Sequence, residues 1–280
     1  EDRVDTEKNK GTGSSAAGKV QGNGILLARY EVCLKNGYLT DYRRLKQGEE
    51  GNHVWYAYLE LSPQSPWFNN QSYVNTLDKK AIERFLEVTH EKYYEVVGDE
   101  FGKTIPSIFT DEPQFTHKQT LGRATDKRDI LIPYTDDFED TYKNTYQESF
   151  LDHLPEVFWE LPEGKISVTR YRYHDHLAER FAQAYSDTIG NWCKKHHIAL
   201  TGHMMSEPTL ASQTGALSEA MRHYRGFQIP GIDMLCDWRE YTTAKQAQSA
   251  AHQMGSTEVT SELYGVTNWD FDFRGHKLQG

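Results

Sequence analysis

Thr104-Ile105-Pro106-Ser107-Ile108-Phe109-Thr110-Asp111-Glu112-Pro113 is the stretch on which the fold turns. It is a short apolar run that stops at two carboxylates and a proline, and a run of this length reads as a buried strand. The residues before it change period. From Asp78, the side chains Ile82, Phe85, Leu86, Thr89, Tyr93, Val96 and Val97 fall on one face of a helix that ends at Gly98. A helix therefore feeds a buried strand, and the strand delivers charge at its carboxyl end.

Working outward towards the C-terminus, the same unit repeats. A long helix is expected over Val168 to His196, with Tyr173, Leu177, Phe181, Tyr185, Ile189 and Trp192 in register. A strand follows at Ile198 to Thr201, a helix at Thr214 to Tyr224, a strand at Ile229 to Leu235, a helix at Thr243 to Met254 and a strand at Thr257 to Ser261. Each strand follows its predecessor by about thirty residues, the length of a βαβ unit. Strict alternation implies a parallel sheet, either open or closed into a barrel. Polar groups decide between the two: Asp111 and Glu112, His203, Asp237 and Trp238, then Glu262 and Tyr264 each follow a strand. A barrel builds its site from the loops at the carboxyl ends of many strands. An open sheet binds at one switch point and carries a glycine fingerprint, which is missing.

Towards the N-terminus the pattern is different. Residues 1–24 read as a polar loop, and the 25–280 stretch as a partial (β/α)8 catalytic barrel. Ile25–Leu34 and Gly37–Leu45 flank Asn36-Gly37, a strong hairpin signal, so 25–52 reads as a hairpin excursion from the barrel. HVWYAYLEL (53–61) is a further strand, and the polar, aromatic stretch 114–165 is an insertion.

A formal charge of −10 repels phosphate backbones and anionic lipid, so nucleic acid and membrane surfaces are not expected partners. No apolar run approaches the roughly 20 residues that span a bilayer. Cys33, Cys193 and Cys236 are scattered and odd in number, which writes no disulfide framework, no CxxC metal site and no compartment. The 35 aromatic residues (17 Tyr, 12 Phe, 6 Trp) sit in a chain of strongly negative mean hydropathy, −0.76. Such side chains stack on the C–H faces of sugars, and they equally fill cores.

Breaking a glycosidic bond takes two carboxyl groups, one to protonate the leaving oxygen and one to attack or to activate water. Glu112 and Glu262 are placed to be that pair. Asp111, His203, Glu207, Asp237, Trp238, Tyr264 and Trp269 are the candidate substrate contacts, with Tyr264, Trp269 and the WDFDF run (269–273) as a stacking wall. His203 and Glu207 share a face only if the segment is helical, which suits substrate binding better than metal. His174-Asp175-His176 resembles a ligand cluster, but consecutive residues on a helix point about 100° apart, so a solvated helix face is the expected reading. No metal ligand set and no required cofactor are expected. Two alternatives stand beside the glycosidase: a metal-dependent hydrolase on the same barrel with His203 and Asp237 as ligands, and an inactive carbohydrate-binding relic.

Five stretches carry a resemblance: FGKTIPSIFTDEPQF (101–115), YTDDFEDTYKNTYQESFLDHLPEVFWE (134–160), IALTGHMMSEP (198–208), MRHYRGFQIPGIDML (221–235) and TSELYGVTNWDFDFRGHKLQG (260–280). Together they resemble large bacterial glycoside hydrolases distantly similar to the family 106 α-L-rhamnosidases, from about Val54 onward. Even Glu1-Asp2-Arg3 with the later Ser14-Ser15-Ala16-Ala17-Gly18 resembles the turn after an early barrel strand in that group. The resemblance implies a (β/α)8 barrel inside a multidomain enzyme of glycan breakdown, with further domains beyond this chain. It implies that HVWYAYLEL is the third barrel strand, that the fourth ends at Glu112 and that the seventh ends at Glu262, so that the barrel is incomplete, with its strands one, two and eight missing from the chain. That arrangement is similar to glycoside hydrolase clan A, although Asp111 stands where clan A enzymes have Asn. Family 106 membership would imply inversion and a calcium ion.

Overall fold

The computed structural model describes residues 24–235 and 241–280. Along the chain run β1 (Ile25–Lys35), β2 (Tyr38–Arg44), β3 (Val54–Leu59), α1 (Lys79–Val88), α2 (His90–Val97), β4 (Ser107–Thr110), α3 (Phe138–Tyr146), α4 (Phe150–His153), α5 (Val168–Phe181), α6 (Thr188–Lys195), β5 (Ala199–Gly202), α7 (Leu210–Ala216), β6 (Ile229–Met234), α8 (Thr242–Met254), β7 (Thr260–Leu263) and α9 (Phe273–Gln279). The chain divides into two units. One takes residues up to Val74 together with Thr116–His176, and the other takes Asn75–Phe115 and Leu177–Gly280. No described helix is long and apolar enough to cross a membrane.

The first unit is built on a three-stranded antiparallel sheet of order β2-β1-β3. Asn36 and Gly37 close the hairpin with φ of 53° and 84°, the left-handed pair that matches the twist of the flanking strands. The sequence reading needs correction here. HVWYAYLEL is not a strand of the parallel sheet, because Val54–Leu59 pairs antiparallel with β1. The hairpin shares this sheet, with β1 as its central strand. The stretch after Thr116 supplies an aromatic core in which Phe138, Tyr142, Phe150 and Tyr173 are fully buried. Phe150 stacks on Tyr173 at 5.1 Å, and the Tyr173 hydroxyl donates to the Pro133 carbonyl at 2.7 Å. Aromatic pairs of this kind add about 0.5–1.5 kcal/mol each beyond area burial. The HDH cluster is also corrected: His176 is buried with Nε2 at 2.9 Å from the Thr141 hydroxyl, and burial pushes His174 down to about 4. The packing of α3 on α5, rather than the three-residue pattern, decides this.

The second unit holds a curled parallel sheet of four strands in the order β4-β5-β6-β7, a half-barrel of mixed α/β character. The expected βα alternation is present, and the described residues do not close an eight-stranded barrel. The expected helix 78–98 is broken at Thr89, whose hydroxyl turns back to the Phe85 carbonyl. The long helix reaches Lys195 through one π turn, Ala182–Asp187, which carries Tyr185 and Ser186 into the interior. The helix expected at 214–224 instead spans Leu210–Ala216, because Thr209 and Ser212 form a capping box that starts it early. Strand β7 begins later than expected, so Glu262 lies inside it. The expected loop at 1–24, apart from Gly24, lies outside the described residues, as do Cys236, Asp237 and Trp238.

Candidate active site

The register of the parallel sheet assembles the site. Thr110 pairs with Gly202 and Gly202 with Pro230, while Asp233 pairs with Glu262 across β6 and β7. Gly202 has φ 123°, and a Cβ there would lie 2.0 Å from the Thr110 carbonyl oxygen. Only glycine allows β4 and β5 to approach this closely at their carboxyl ends. His203 follows at once, and its N–H donates to the Thr110 carbonyl at 3.1 Å. Thr110 is held from below as well, by a 2.6 Å bond between its hydroxyl and that of Tyr185 on the π turn.

His203 is the centre of the group. Its Nε2 lies 3.1 Å from Asp111 Oδ1 and 3.8 Å from Asp233 Oδ2, and its Nδ1 lies 3.9 Å from Glu262 Oε2. The imidazole is 1% exposed, whereas the Asp111 and Glu262 side chains are 74% and 44% exposed. Neither ring nitrogen finds a hydrogen-bond partner of good geometry among the described residues, and Asp233 Oδ1 is buried without one. Glu112 joins from the other side: with His203 and Asp233 it offers three ligand atoms within 4.8 Å of one another, as do Asp111, His203 and Glu262.

Glu112 sits at φ 46°, directly before Pro113. A residue before proline favours extended backbone, and a left-handed non-glycine residue costs about 1–3 kcal/mol, a strain that clusters at functional sites. Burial raises the Glu112 carboxyl above its ordinary range, and Asp111 beside it pushes the same way. Asp233 is raised too, first by burial, with Glu262 and Asp111 adding while His203 opposes. A set of carboxyl groups packed so closely cannot all ionise freely.

The candidate residues divide. Asp111, Glu112, His203 and Glu262 come together. Glu207 lies beneath them, 3% exposed, and burial lifts it to about 7 against three hydrogen bonds that lower it. Tyr264 packs on Phe271 and His276, with its hydroxyl donating to the His276 carbonyl at 3.2 Å, and Trp269 is fully exposed. Asp233 was missed by the sequence reading, which looked past the end of the strand to Asp237. The signal was a lone carboxylate inside the apolar run Ile229-Pro230-Gly231-Ile232-Asp233-Met234-Leu235.

No protein-family model matches the chain, and no curated protein matches it. Among solved structures, a rhamnosidase from Novosphingobium sp. PP1Y is similar with a TM-score of 0.50 and 17% identity, over 68% of this chain. This chain covers 17% of that enzyme's length, so the two share a fold over a small part of a much larger protein.

Proposed function

We propose that this chain is part of a glycoside hydrolase, with Glu112 as general acid and Glu262 as nucleophile or general base. The observation that carries the reading is the convergence of Asp111, Glu112, His203, Asp233 and Glu262 from four neighbouring parallel strands at one edge of the sheet. In this reading β4 to β7 are strands four to seven of an incomplete (β/α)8 barrel. The distant fold likeness to a rhamnosidase supports the same class. Glu112, whose carboxyl burial raises above its ordinary range, donates to the leaving oxygen, while Glu262 attacks the anomeric carbon or takes a proton from water. Asp111, His203 and Asp233 hold sugar hydroxyls, and the partner is a poly- or oligosaccharide. Turnover of a panel of aryl glycosides by the whole enzyme tests this. Absence of turnover across pyranosides of both anomers would sink it.

A second reading has its own support. His203, buried among carboxylates with both ring nitrogens short of partners, offers what a borderline ion such as zinc takes. Asp233 then stands where the sequence reading put Asp237. Calcium takes oxygen donors, six to eight of them, so a set built around an imidazole does not fit the calcium that the family resemblance implies. Metal analysis of the purified protein separates the readings, since a stoichiometric zinc or manganese favours the second.

A further inference from the structure

Among the described residues Glu207 accepts three hydrogen bonds, all from the scaffold. Its Oε1 accepts from the Met204 N–H at 3.2 Å and from the Tyr224 hydroxyl at 3.2 Å. Its Oε2 accepts from the Asp233 N–H at 3.3 Å. These donors belong to the turn after β5, to the 3-10 turn His223–Gly226 and to β6. The Tyr224 hydroxyl also reaches the Gly231 carbonyl at 3.0 Å, which ties the same turn to β6 a second time.

The need for such a group follows from the sheet. Pairing between β5 and β6 stops at Gly202 and Pro230. Beyond that point nothing in the backbone ladder fixes the spacing of His203 from Asp233. The Glu207 carboxyl spans the gap, taking one N–H from the residue after His203 and one from Asp233 itself. Its own backbone is held in turn, since the Glu207 carbonyl accepts from Gln213 Nε2 at 2.6 Å and from Gln246 Nε2 at 3.2 Å. Gln213 Oε1 accepts from the Ala220 N–H at 2.9 Å, so α7 and α8 brace the turn.

We propose that Glu207 is a positioning residue that replaces the missing ladder bonds between β5 and β6 and so sets the spacing of His203 and Asp233. It does not touch substrate. What that spacing serves rests on the glycosidase reading, but the spacing itself does not.

Glu207→Gln is the test, because it keeps shape while offering one acceptor oxygen in place of two. Its amide nitrogen must face the N–H of Met204 or of Asp233, and one of those loses its acceptor. In the whole enzyme, on the aryl glycoside that the wild type turns over best, kcat should fall about 10- to 100-fold with KM within about twofold, as expected for misplacement of reacting groups. In protein carrying 15N-labelled histidine, the His203 ring resonances should move at fixed pH. Wild-type kcat with unmoved His203 resonances overturns the proposal, and so does a rise in KM at unchanged kcat, which would put Glu207 on the substrate. If Glu207→Gln fails to fold, Tyr224→Phe removes one of the three donors, and unmoved His203 resonances in that variant overturn the proposal equally. If the wild type cleaves no glycoside, the glycosidase reading fails, and the ring resonances alone decide for or against positioning.

Discussion

The two sheets of this protein bury themselves differently. In β1 of the first unit burial alternates, with Ala28, Tyr30 and Val32 inside and their neighbours more exposed, the mark of an antiparallel sheet covered on one face. In β5 and β6 three consecutive residues are buried, Leu200–Gly202 and Pro230–Ile232, as in a parallel sheet covered on both faces. A strand covered on both faces has room for charge only at its ends. In the second unit, accordingly, the carboxylates gather at the carboxyl edge of β4 to β7. In the first unit charged side chains such as Arg43 and Glu31 pair along the open sheet instead. The candidate site therefore falls to the sheet that had no other place for its polar residues.

The sharpest way to break this comparison is through turnover. In the whole enzyme Glu112→Gln and Glu262→Gln should each lower kcat by about 10²- to 10⁴-fold with the fold intact. The two should part on substrates with activated aryl leaving groups, which need little protonation. Glu112→Gln should be partly spared there, and Glu262→Gln should stay impaired. Wild-type rates for Glu262→Gln on every substrate would remove Glu262 from the chemistry.

A somewhat smaller effect is expected from the backbone that builds the edge. Gly202→Ala places a methyl 2.0 Å from the Thr110 carbonyl oxygen at φ 123°. Both strain and overlap act at once, so denaturant unfolding should register a loss of about 3 kcal/mol or more. A loss under about 1 kcal/mol would mean that β4 and β5 can separate without harm, and that their close approach is not what holds the edge together.

The same contrast governs what could be read beforehand. The second unit was legible because its helices and strands change period cleanly and its charges mark the strand ends; Asp111, Glu112, His203 and Glu262, which the sheet brings together, were all marked this way. Asp233 was hidden because a carboxylate within a strand looks like a break in the apolar run, and only the register opposite Glu262 brings it into the group. The first unit was misread at its partner choice. HVWYAYLEL is a strand by any measure, but periodicity does not say which strand it pairs with, and β1 claimed it. Glu207 stood among the candidate substrate contacts, and sequence spacing could not show that its carboxylate faces three scaffold donors.

Acid should act on the second unit through His223. It is fully buried, with Nδ1 at 2.9 Å from the Ser186 hydroxyl and its ring 4.4 Å from that of Phe181. Burial drives it down to about 3, with the Arg225 and Arg222 charges adding to that and Glu179 opposing. The unfolded chain takes up this proton near 6.5 and the native state only near 3, so the unfolded state binds more protons between these values. Stability from this group is present above about 6.5 and lost as pH falls towards 3. Melting temperatures of wild type and His223→Gln should converge as pH is lowered through this window. Parallel curves would show that His223 is protonated without penalty.

The smallest effect tests the first unit at its hairpin. Gly37 has φ 84°, and a Cβ added there would meet only Ala124 Cβ at an ordinary 3.7 Å, so Gly37→Ala costs backbone strain without overlap. A left-handed L-residue costs about 1–2 kcal/mol, and the turn offers nothing to offset it. Gly37→Ala should therefore destabilise the protein by about 1 kcal/mol and leave turnover as it was, since the candidate carboxylates all belong to the other unit. Gly202→Ala, at another left-handed glycine, should by contrast lower both stability and rate, because its backbone lies one residue from His203. Equal effects of the two alanines on turnover would mean that the hairpin unit shapes the site, and that the division of labour between the two sheets is wrong.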